Sequence, residues 1–312
     1  MSMMLSCIII MRAIAERWRL DSYWAQHVLL LRGYIMNKLI MVGFALLTVA
    51  ACSEVEQEAT VASAPVELQT ASWDAVGTTF YTEMIPCAPG ADFGRESVDA
   101  MITEWRGIGV SPDLLGSWGY GPASDQNSNA NAWWELQWAS KEAADAGWSE
   151  WETNEAAADW ATKNENVMVC DGAGRVSFDF SFSRAVNSFG ESPESGEFFS
   201  AFMPCKINEG KTQDDVDANI VSYNKWLDAL EGPSSFYAFG IYSVRENSTM
   251  TEDVDFFWGN FHESMDSMKA GNEGWNSSGG ETKAMMEAGA TCGAPNVYNS
   301  KTFYDPTNAD FS

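Results

Sequence analysis

The sequence predicts an α+β protein built from two tandem β-α-β-β-α-β repeats, and three observations support this prediction. A strand-like segment that ends in Pro-Cys occurs twice, as "FYTEMIPC" at 80–87 and "FFSAFMPC" at 198–205. The same order of strand-like and helix-like segments follows each copy. Cysteines also recur in equivalent places. An internal duplication explains all three, with repeats at 73–182 and 198–312 joined by a Ser-, Gly- and Glu-rich linker at 183–197.

The duplication is supported by matches that keep their order along the chain. "ESVDAMITEW" at 96–105 corresponds to "DDVDANIVSY" at 214–223, and further matches follow in both repeats. Small changes in spacing between the matches indicate loop insertions, which surface loops tolerate. The later matches are Trp134, Ala146, Gly147 and Trp151 in the first repeat with Trp258, Ala270, Gly271 and Trp275 in the second.

The second repeat shows the order of elements most plainly. Pro204 ends a short apolar strand, and Thr212 can cap a helix whose apolar residues follow helical spacing. Further strands are predicted at 235–244, 254–261 and 296–304, and helical pieces that end on glycine at 262–271 and 280–289. This order is the split βαβ arrangement called ferredoxin-like.

The cysteines fit this arrangement. In a ferredoxin-like sheet the first strand is central and the fourth lies antiparallel beside it, so the end of strand one adjoins the start of strand four. Cys87 and Cys205 follow the first strands, and Cys170 and Cys292 precede the fourth. An exported protein meets an oxidising compartment. We therefore expect the disulfides Cys87–Cys170 and Cys205–Cys292.

The N-terminal region predicts export. Lys38 precedes an apolar run from Leu39 to Ala51, which as a helix would cover ~20 Å and is too short for a ~30 Å hydrocarbon core. Residues 36–51 are therefore interpreted as a signal peptide. Its end, "VAAC" at 49–52, resembles the lipobox of bacterial lipoproteins, which implies lipidation of Cys52 and a bacterial envelope location.

The segments around the signal peptide agree with this interpretation. Residues 1–35 contain apolar runs broken by arginines, and we interpret them as lying upstream of the true start at Met36, with a genuine cytoplasmic extension as the alternative. Residues 52–72 are small, acidic and aperiodic, which is typical of a tether. Ser53 follows the lipidated cysteine, and the lipoprotein resemblance then implies the outer membrane. The expected partner is a membrane, reached through the lipid at Cys52.

Charge and composition exclude some functions. The chain carries a net charge of −26 with a sequence pI near 4.2, which argues against binding nucleic acid and against docking on anionic lipid through a basic patch. An apolar content of 46% with 14 Trp residues is ample for packed cores. The sequence does not indicate an oligomeric state.

Two ferredoxin-like units in tandem resemble the dimeric α/β-barrel superfamily. The resemblance covers roughly 80–304 and is carried by element order and duplication. It implies that two four-stranded sheets pack sheet to sheet, here within one chain. Members include small monooxygenases, haem-handling enzymes and stress-responsive binding proteins. No site motif of these proteins is matched, so the resemblance assigns no functional residue.

Candidate catalytic residues are few. After the signal peptide the only histidine is His262, which makes it the weak candidate for a proton-transfer residue, a haem ligand or a metal ligand. Its counterpart in the first repeat is Trp138, and a polar residue at a strand end is the alternative interpretation. The acidic clusters do not match the spacing of a Ca²⁺ loop. We therefore predict no metal site and no cofactor.

Aromatic residues are the most conspicuous feature. In "NAWWELQW" at 131–138, strand alternation places Trp134, Leu136 and Trp138 on one face and Trp133 and Glu135 on the other. These rings can fill a core, or they can line a cavity for an apolar or carbohydrate ligand. The candidate core or cavity residues are Trp134, Trp138, Trp151, Trp258, Phe261 and Trp275.

The function indicated by the sequence is a non-catalytic binding or structural role in an envelope lipoprotein. One alternative is an enzyme or haem-handling protein of the dimeric α/β-barrel type. A second alternative is a carbohydrate-binding lipoprotein that uses exposed tryptophans.

Overall fold

The computed structural model describes residues 72–128, 131–230, 235–245 and 251–312. The upstream segment 1–35, the signal peptide 36–51 and Cys52 lie outside these residues. So does the tether 52–72, apart from its last residue, Ser72. In the described part of the chain, no helix is both long and apolar enough to cross a membrane.

The first repeat contains two helices in its second crossover, where the fold requires one. Ser140 caps the first of them by accepting a hydrogen bond from the Ala143 N–H, and Asn154 caps the second. The elements are β1 (Phe80–Pro89), α1 (Arg95–Gly107), β2 (Leu114–Pro122), β3 (Ala132–Trp138), α2 (Lys141–Thr153), α3 (Glu155–Lys163), β4 (Met168–Cys170) and β5 (Val176–Phe182).

The second repeat has the same order. Thr212 is the N-cap of its first helix, as predicted, and the Asp215 carboxylate accepts from the Thr212 N–H at 3.0 Å. The elements are β6 (Glu197–Ile207), α4 (Gln213–Asp228), β7 (Tyr237–Val244), β8 (Phe256–His262), α5 (Met265–Ser278), α6 (Gly280–Gly289), β9 (Ala290–Cys292) and β10 (Asn296–Tyr304).

One predicted helix end is wrong. We expected a helix to end on Gly271, but α5 continues to Ser278. Gly271 does not adopt the positive φ that ends a helix, and the capped start at Ser264 favours a longer helix. Gly289 does end α6, as expected.

The strands form a closed barrel. Each repeat contributes a four-stranded antiparallel sheet in ferredoxin-like order, β2-β3-β1-β5 in the first and β7-β8-β6-β10 in the second. The two sheets join at both edges, through β5–β7 and β10–β2. The short strands β4 and β9 attach beside β1 and β6. The α+β class and the tandem ferredoxin-like architecture are confirmed, with the two sheets joined edge to edge into one barrel.

The core lies in three places. One apolar cluster lies inside the barrel, and one lies between the sheet and the helices of each repeat. Strand alternation produces this division, because residues on the two faces of each strand point into different layers. On β5, for example, Val176, Phe178, Phe180 and Phe182 are buried inside the barrel, whereas the residues between them are half-buried.

Both expected disulfides are present. Cys87 lies opposite Cys170 in the β1–β4 pair, and Cys205 lies opposite Cys292 in the β6–β9 pair. The predicted placement of Cys87 and Cys205 after the first strands is wrong. Both lie within β1 and β6, because these strands continue through their prolines to pair with β4 and β9.

Candidate ligand-binding cavities

The helix-facing side of the first sheet carries an aromatic cavity of about 380 Å³. Trp134 and Trp138 line it from β3, together with Leu136, so the predicted common face of these three residues is correct. Trp151 lines it from α2. Sequence reasoning missed three further tryptophans that line the same cavity: Trp105, Trp148 and Trp160. The spacing of Trp148 and Trp151 could have revealed Trp148, since residues three apart on a helix share a face.

Hydrogen bonds fix several of these indole rings. The Nε1–H group of Trp134 donates to Ser117 Oγ at 2.7 Å, and that of Trp160 donates to the Met101 carbonyl at 3.0 Å. Trp138 differs, because its buried Nε1–H has no acceptor among the described residues. A buried donor without an acceptor costs roughly 1–3 kcal/mol. Trp138 lines this cavity and therefore brings to it a buried donor that has no acceptor among the described residues.

A buried ion pair positions Trp148. Its Nε1–H donates to Glu83 Oε2 at 2.6 Å, and Arg175 Nε donates to Glu83 Oε1 at 2.8 Å. The Arg175 guanidinium also lies 4.7 Å from the centroid of the Trp148 ring. Glu83 is 2% exposed, and the Tyr81 hydroxyl also donates to its Oε1 at 3.4 Å, so three donors surround this buried carboxylate.

The second repeat has an equivalent cavity of about 400 Å³, which Trp258, Trp275 and His262 line together. Trp258 stacks on Phe239 with centroids 4.9 Å apart. The Trp258 Nε1–H and the Tyr237 hydroxyl both donate to Asn260 Oδ1, at 3.0 and 2.8 Å. The indole of Trp258 is therefore satisfied, unlike that of Trp138 in the first cavity, which has no acceptor among the described residues.

His262 is the last residue of β8 and is buried on the helix-facing side. Desolvation lowers the pKa of the imidazole to about 4, so the ring is neutral near pH 7. No hydrogen bond to its ring nitrogens is found within the described residues, and its ring lies 5.0 Å from that of Tyr237. There is accordingly no His–carboxylate pair of the kind used in proton transfer.

Phe261 lies apart from the other predicted aromatics, because it points into the barrel. The barrel holds a cavity of about 480 Å³, with Phe261, Trp118 and Phe180 in its wall. The six predicted aromatic residues are therefore distributed over three cavities and do not form one site.

A buried carboxyl group lies in the barrel cavity. Glu135 is 1% exposed, and two tyrosines donate to it. The Tyr120 hydroxyl contacts Oε2, and the Tyr242 hydroxyl lies 3.2 Å from Oε1. Burial raises the pKa of Glu135 to about 7, although the two hydrogen bonds act in the opposite direction. The pKa values of both tyrosines are also raised, by burial and by the neighbouring carboxyl.

Sequence reasoning missed this site. Alternation placed Glu135 on the face opposite Trp134, but nothing local showed that this face is the inside of a barrel. A signal was present in the repeat itself. Tyr120 and Tyr242 are separated by the same number of residues as Cys170 and Cys292, and they take equivalent places opposite Trp133 and Phe257.

Two kinds of site have no support in the described residues. No group of three or more His, Cys, Asp or Glu side chains is arranged there to hold a metal ion. Every tryptophan in 72–128, 131–230, 235–245 and 251–312 is buried or half-buried, so a flat surface platform of exposed indoles is absent from this part of the chain.

No protein-family model matches this sequence, and no curated protein matches it. Solved structures do resemble it. Chlorite dismutase from Candidatus Nitrospira defluvii is 12% identical over 72% of this chain and 92% of its own, with a TM-score of 0.42. A protein from Fusobacterium nucleatum, proposed to be a monooxygenase, is 10% identical over 72% of this chain and 93% of its own, also with a TM-score of 0.42. Similarity at this level does not indicate the chemistry of this chain.

Proposed function

We propose that this protein is an envelope lipoprotein, anchored through Cys52, that binds a small apolar ligand in the aromatic cavity of the first repeat. The observation that carries the proposal is the Trp138 indole, which lines a 380 Å³ cavity and whose buried N–H has no acceptor among the described residues. The role is binding, and it requires no catalytic group.

The cavity favours a ligand with a flat apolar body and one hydrogen-bond acceptor. Its volume is in the range of small-molecule sites, and its indoles offer large rigid surfaces. An acceptor placed near Trp138 Nε1 would recover the cost of the unmade hydrogen bond. A ligand without an acceptor would gain only the apolar contact.

Anchoring is supported by the N-terminal sequence. The "VAAC" segment at 49–52 and the acidic stretch that follows suit a lipidated cysteine with a tether. Two or more acyl chains hold a protein stably on a bilayer. A ligand site close to a membrane can exchange apolar molecules with it.

Matched probes test the binding role. We expect 2-acetylnaphthalene, which has a carbonyl acceptor, to quench tryptophan fluorescence at lower concentration than 2-ethylnaphthalene, which has none. Trp138→Phe keeps an aromatic ring but removes the donor. This variant should bind 2-acetylnaphthalene about fivefold to tenfold more weakly and should bind 2-ethylnaphthalene with unchanged affinity.

Trp258→Phe is the matched control, because Trp258 lies in the second repeat and already donates to Asn260. It should leave both probes unaffected at the first cavity. The proposed function would be contradicted if Trp138→Phe lost equal affinity for both probes, or if the native protein bound neither probe.

A haem-handling role is the second candidate, and His262 favours it. A neutral imidazole without a hydrogen-bond partner in the described residues lines a 400 Å³ aromatic cavity, and His262 could supply a nitrogen ligand to a haem iron there. Trp226 and Tyr237 line the same cavity and would offer it apolar contact. Addition of hemin should then give a Soret band that His262→Ala shifts or abolishes. Identical spectra for the native protein and this variant would remove the second candidate.

A further inference from the structure

The barrel cavity contains the Glu135 carboxyl group, which belongs to the first repeat but accepts hydrogen bonds from both repeats. Tyr120 and Tyr242 are equivalent in the two repeats, and both donate to Glu135. The counterpart of Glu135 on β8 is Gly259. A Cβ atom there would lie 2.8 Å from Tyr242 Cε2, so the glycine leaves room for that ring. The second repeat therefore has no counterpart of the Glu135 carboxyl group.

No basic side chain accompanies this carboxyl group. Three acidic residues line the 480 Å³ cavity, namely Glu135, Asp74 and Asp305, and no Lys, Arg or His lines it within the described residues. None of the ion pairs found among those residues includes Glu135. A carboxylate buried without a cation is costly, and a cationic ligand would lower that cost.

Two buried side chains in the wall of this cavity, Glu135 and Gln137, offer hydrogen-bond acceptors. Gln137 follows Glu135 on the same face of β3, lines the same cavity and is fully buried. Its Nε2 donates to the Trp73 carbonyl at 2.7 Å, but its Oε1 has no partner within the described part of the chain. The Glu135 carboxylate accepts hydrogen bonds from the two tyrosine hydroxyl groups and has further acceptor capacity. A ligand group that only donates therefore fits best.

Aromatic rings form the rest of the wall. Trp73 and Trp118 meet edge to face with centroids 5.4 Å apart, and Phe180 and Phe182 lie alongside. Aromatic faces attract organic cations and also bury apolar groups. The strongly negative net charge of the chain adds a long-range attraction for cations.

We propose that the barrel cavity binds an organic primary ammonium ion with an apolar body, with Glu135 as its counter-ion and Gln137 Oε1 as a second acceptor. This site differs from the aromatic cavity of the first repeat in position, charge and ligand class. An ammonium group supplies three N–H donors, enough for the carboxylate and the amide oxygen together.

Binding by this site depends on pH. A bound cation favours the ionised carboxylate, so ligand uptake near pH 7 releases protons from Glu135, whose pKa burial raises to about 7. The other titratable groups that face into the barrel are Tyr120, Tyr242 and Tyr298, which burial keeps neutral by raising their pKa values. Asp74 and Asp305 line the cavity as well. Affinity should therefore fall as the pH drops from 8 to 6.

The test uses calorimetry on the full protein with 2-phenylethylammonium as the probe and two controls of similar shape, 2-phenylethanol and 3-phenylpropanoate. We expect the ammonium ion to bind best, with proton release at pH 7. Glu135→Gln should lower the affinity for the ammonium ion about 30-fold or more. It should change the affinity for 2-phenylethanol by less than about threefold. Glu104→Gln, on the outer helix α1, is the matched control and should change nothing.

A second variant separates binding from folding. Gln137→Met keeps the size of the side chain but removes the free acceptor, together with the hydrogen bond from Nε2 to the Trp73 carbonyl, and it should weaken binding of the ammonium probe about fivefold. Unchanged near-ultraviolet circular dichroism would show that the barrel is intact in both variants. Three results would overturn the proposal: equal affinity for ammonium and alcohol, tighter binding of the carboxylate, or full ammonium binding by folded Glu135→Gln protein.

Discussion

Trp138 and His262 are equivalent residues at the ends of β3 and β8, and each faces the corresponding glycine of the next helix. Trp138 pairs with Tyr81 in the first repeat, as His262 pairs with Phe199 in the second. A Cβ atom on Gly147 would lie 2.5 Å from Trp138 Cη2. A Cβ atom on Gly271 would lie 3.7 Å from His262 Cε1, which is ordinary contact. Close packing against the strand therefore requires glycine at position 147, whereas position 271 has room for a larger residue.

This difference predicts opposite effects of one substitution. Gly147→Ala forces a methyl group into the Trp138 ring and should lower the free energy of unfolding by about 1–3 kcal/mol. Gly271→Ala adds a better helix former without a clash and should raise it by up to about 1 kcal/mol. Urea unfolding of both variants measures the pair. Equal effects in the two repeats would mean that the close approach to Trp138 is absent.

The fold was predictable because its signals are local and are repeated. The Pro-Cys motif, the Thr212 cap and the alternation around Trp134 each specify a feature within one element or one pair of strands. Closure of the barrel is different, because β5–β7 and β10–β2 pair distant segments. The buried state of Glu135 follows from that closure, so a charged residue that alternation favours for a solvent face lies inside. The length of α5 also escaped prediction, because a glycine alone does not mark a helix end: Gly289 ends α6, whereas Gly271 lies inside α5.

The two disulfides should both stabilise the mature protein. They join Cys87 to Cys170 and Cys205 to Cys292, across sequence separations of 83 and 87 residues. Replacing either pair by serine should lower the free energy of unfolding by about 2–5 kcal/mol, because the unfolded chain regains long open loops. Non-reducing peptide mapping checks the pairing directly. A bridge between the repeats, or free thiols at these positions, would contradict it.

Cys52 should decide the location of the protein. Cys52→Ala removes the lipid attachment site, so the variant should leave the membrane fraction or stay unprocessed. Membrane fractionation and mass spectrometry of the N-terminal peptide measure this. A serine substitution at Cys205, which lies in a disulfide, serves as a control for loss of a cysteine alone. If Cys52→Ala protein fractionates as the native protein does, and the native chain carries no fatty acid, then lipid anchoring is wrong.

Two buried titratable groups should give opposing pH dependences of stability. The pKa of Glu135 is raised to about 7, so the folded state binds a proton more tightly than the unfolded state. Its stabilising contribution is complete below the unfolded pKa and is lost as the pH rises to 7. The pKa of His262 is lowered to about 4, so its contribution is complete above about pH 6.5 and is lost as the pH falls towards 4. Each effect is on the order of 3 kcal/mol.

In the native protein these two effects offset each other between about pH 4.5 and 6.5, and single substitutions should reveal them. Glu135→Gln should become more stable relative to the native protein as the pH rises to 7, because the amide does not ionise. His262→Gln should become more stable relative to the native protein as the pH falls below 6.5. The two residues lie on opposite faces of the barrel wall, so the double variant should show the sum of the two differences. Urea unfolding from pH 4.5 to 8 measures all four proteins, and differences that stay constant with pH would show that neither group has a shifted pKa.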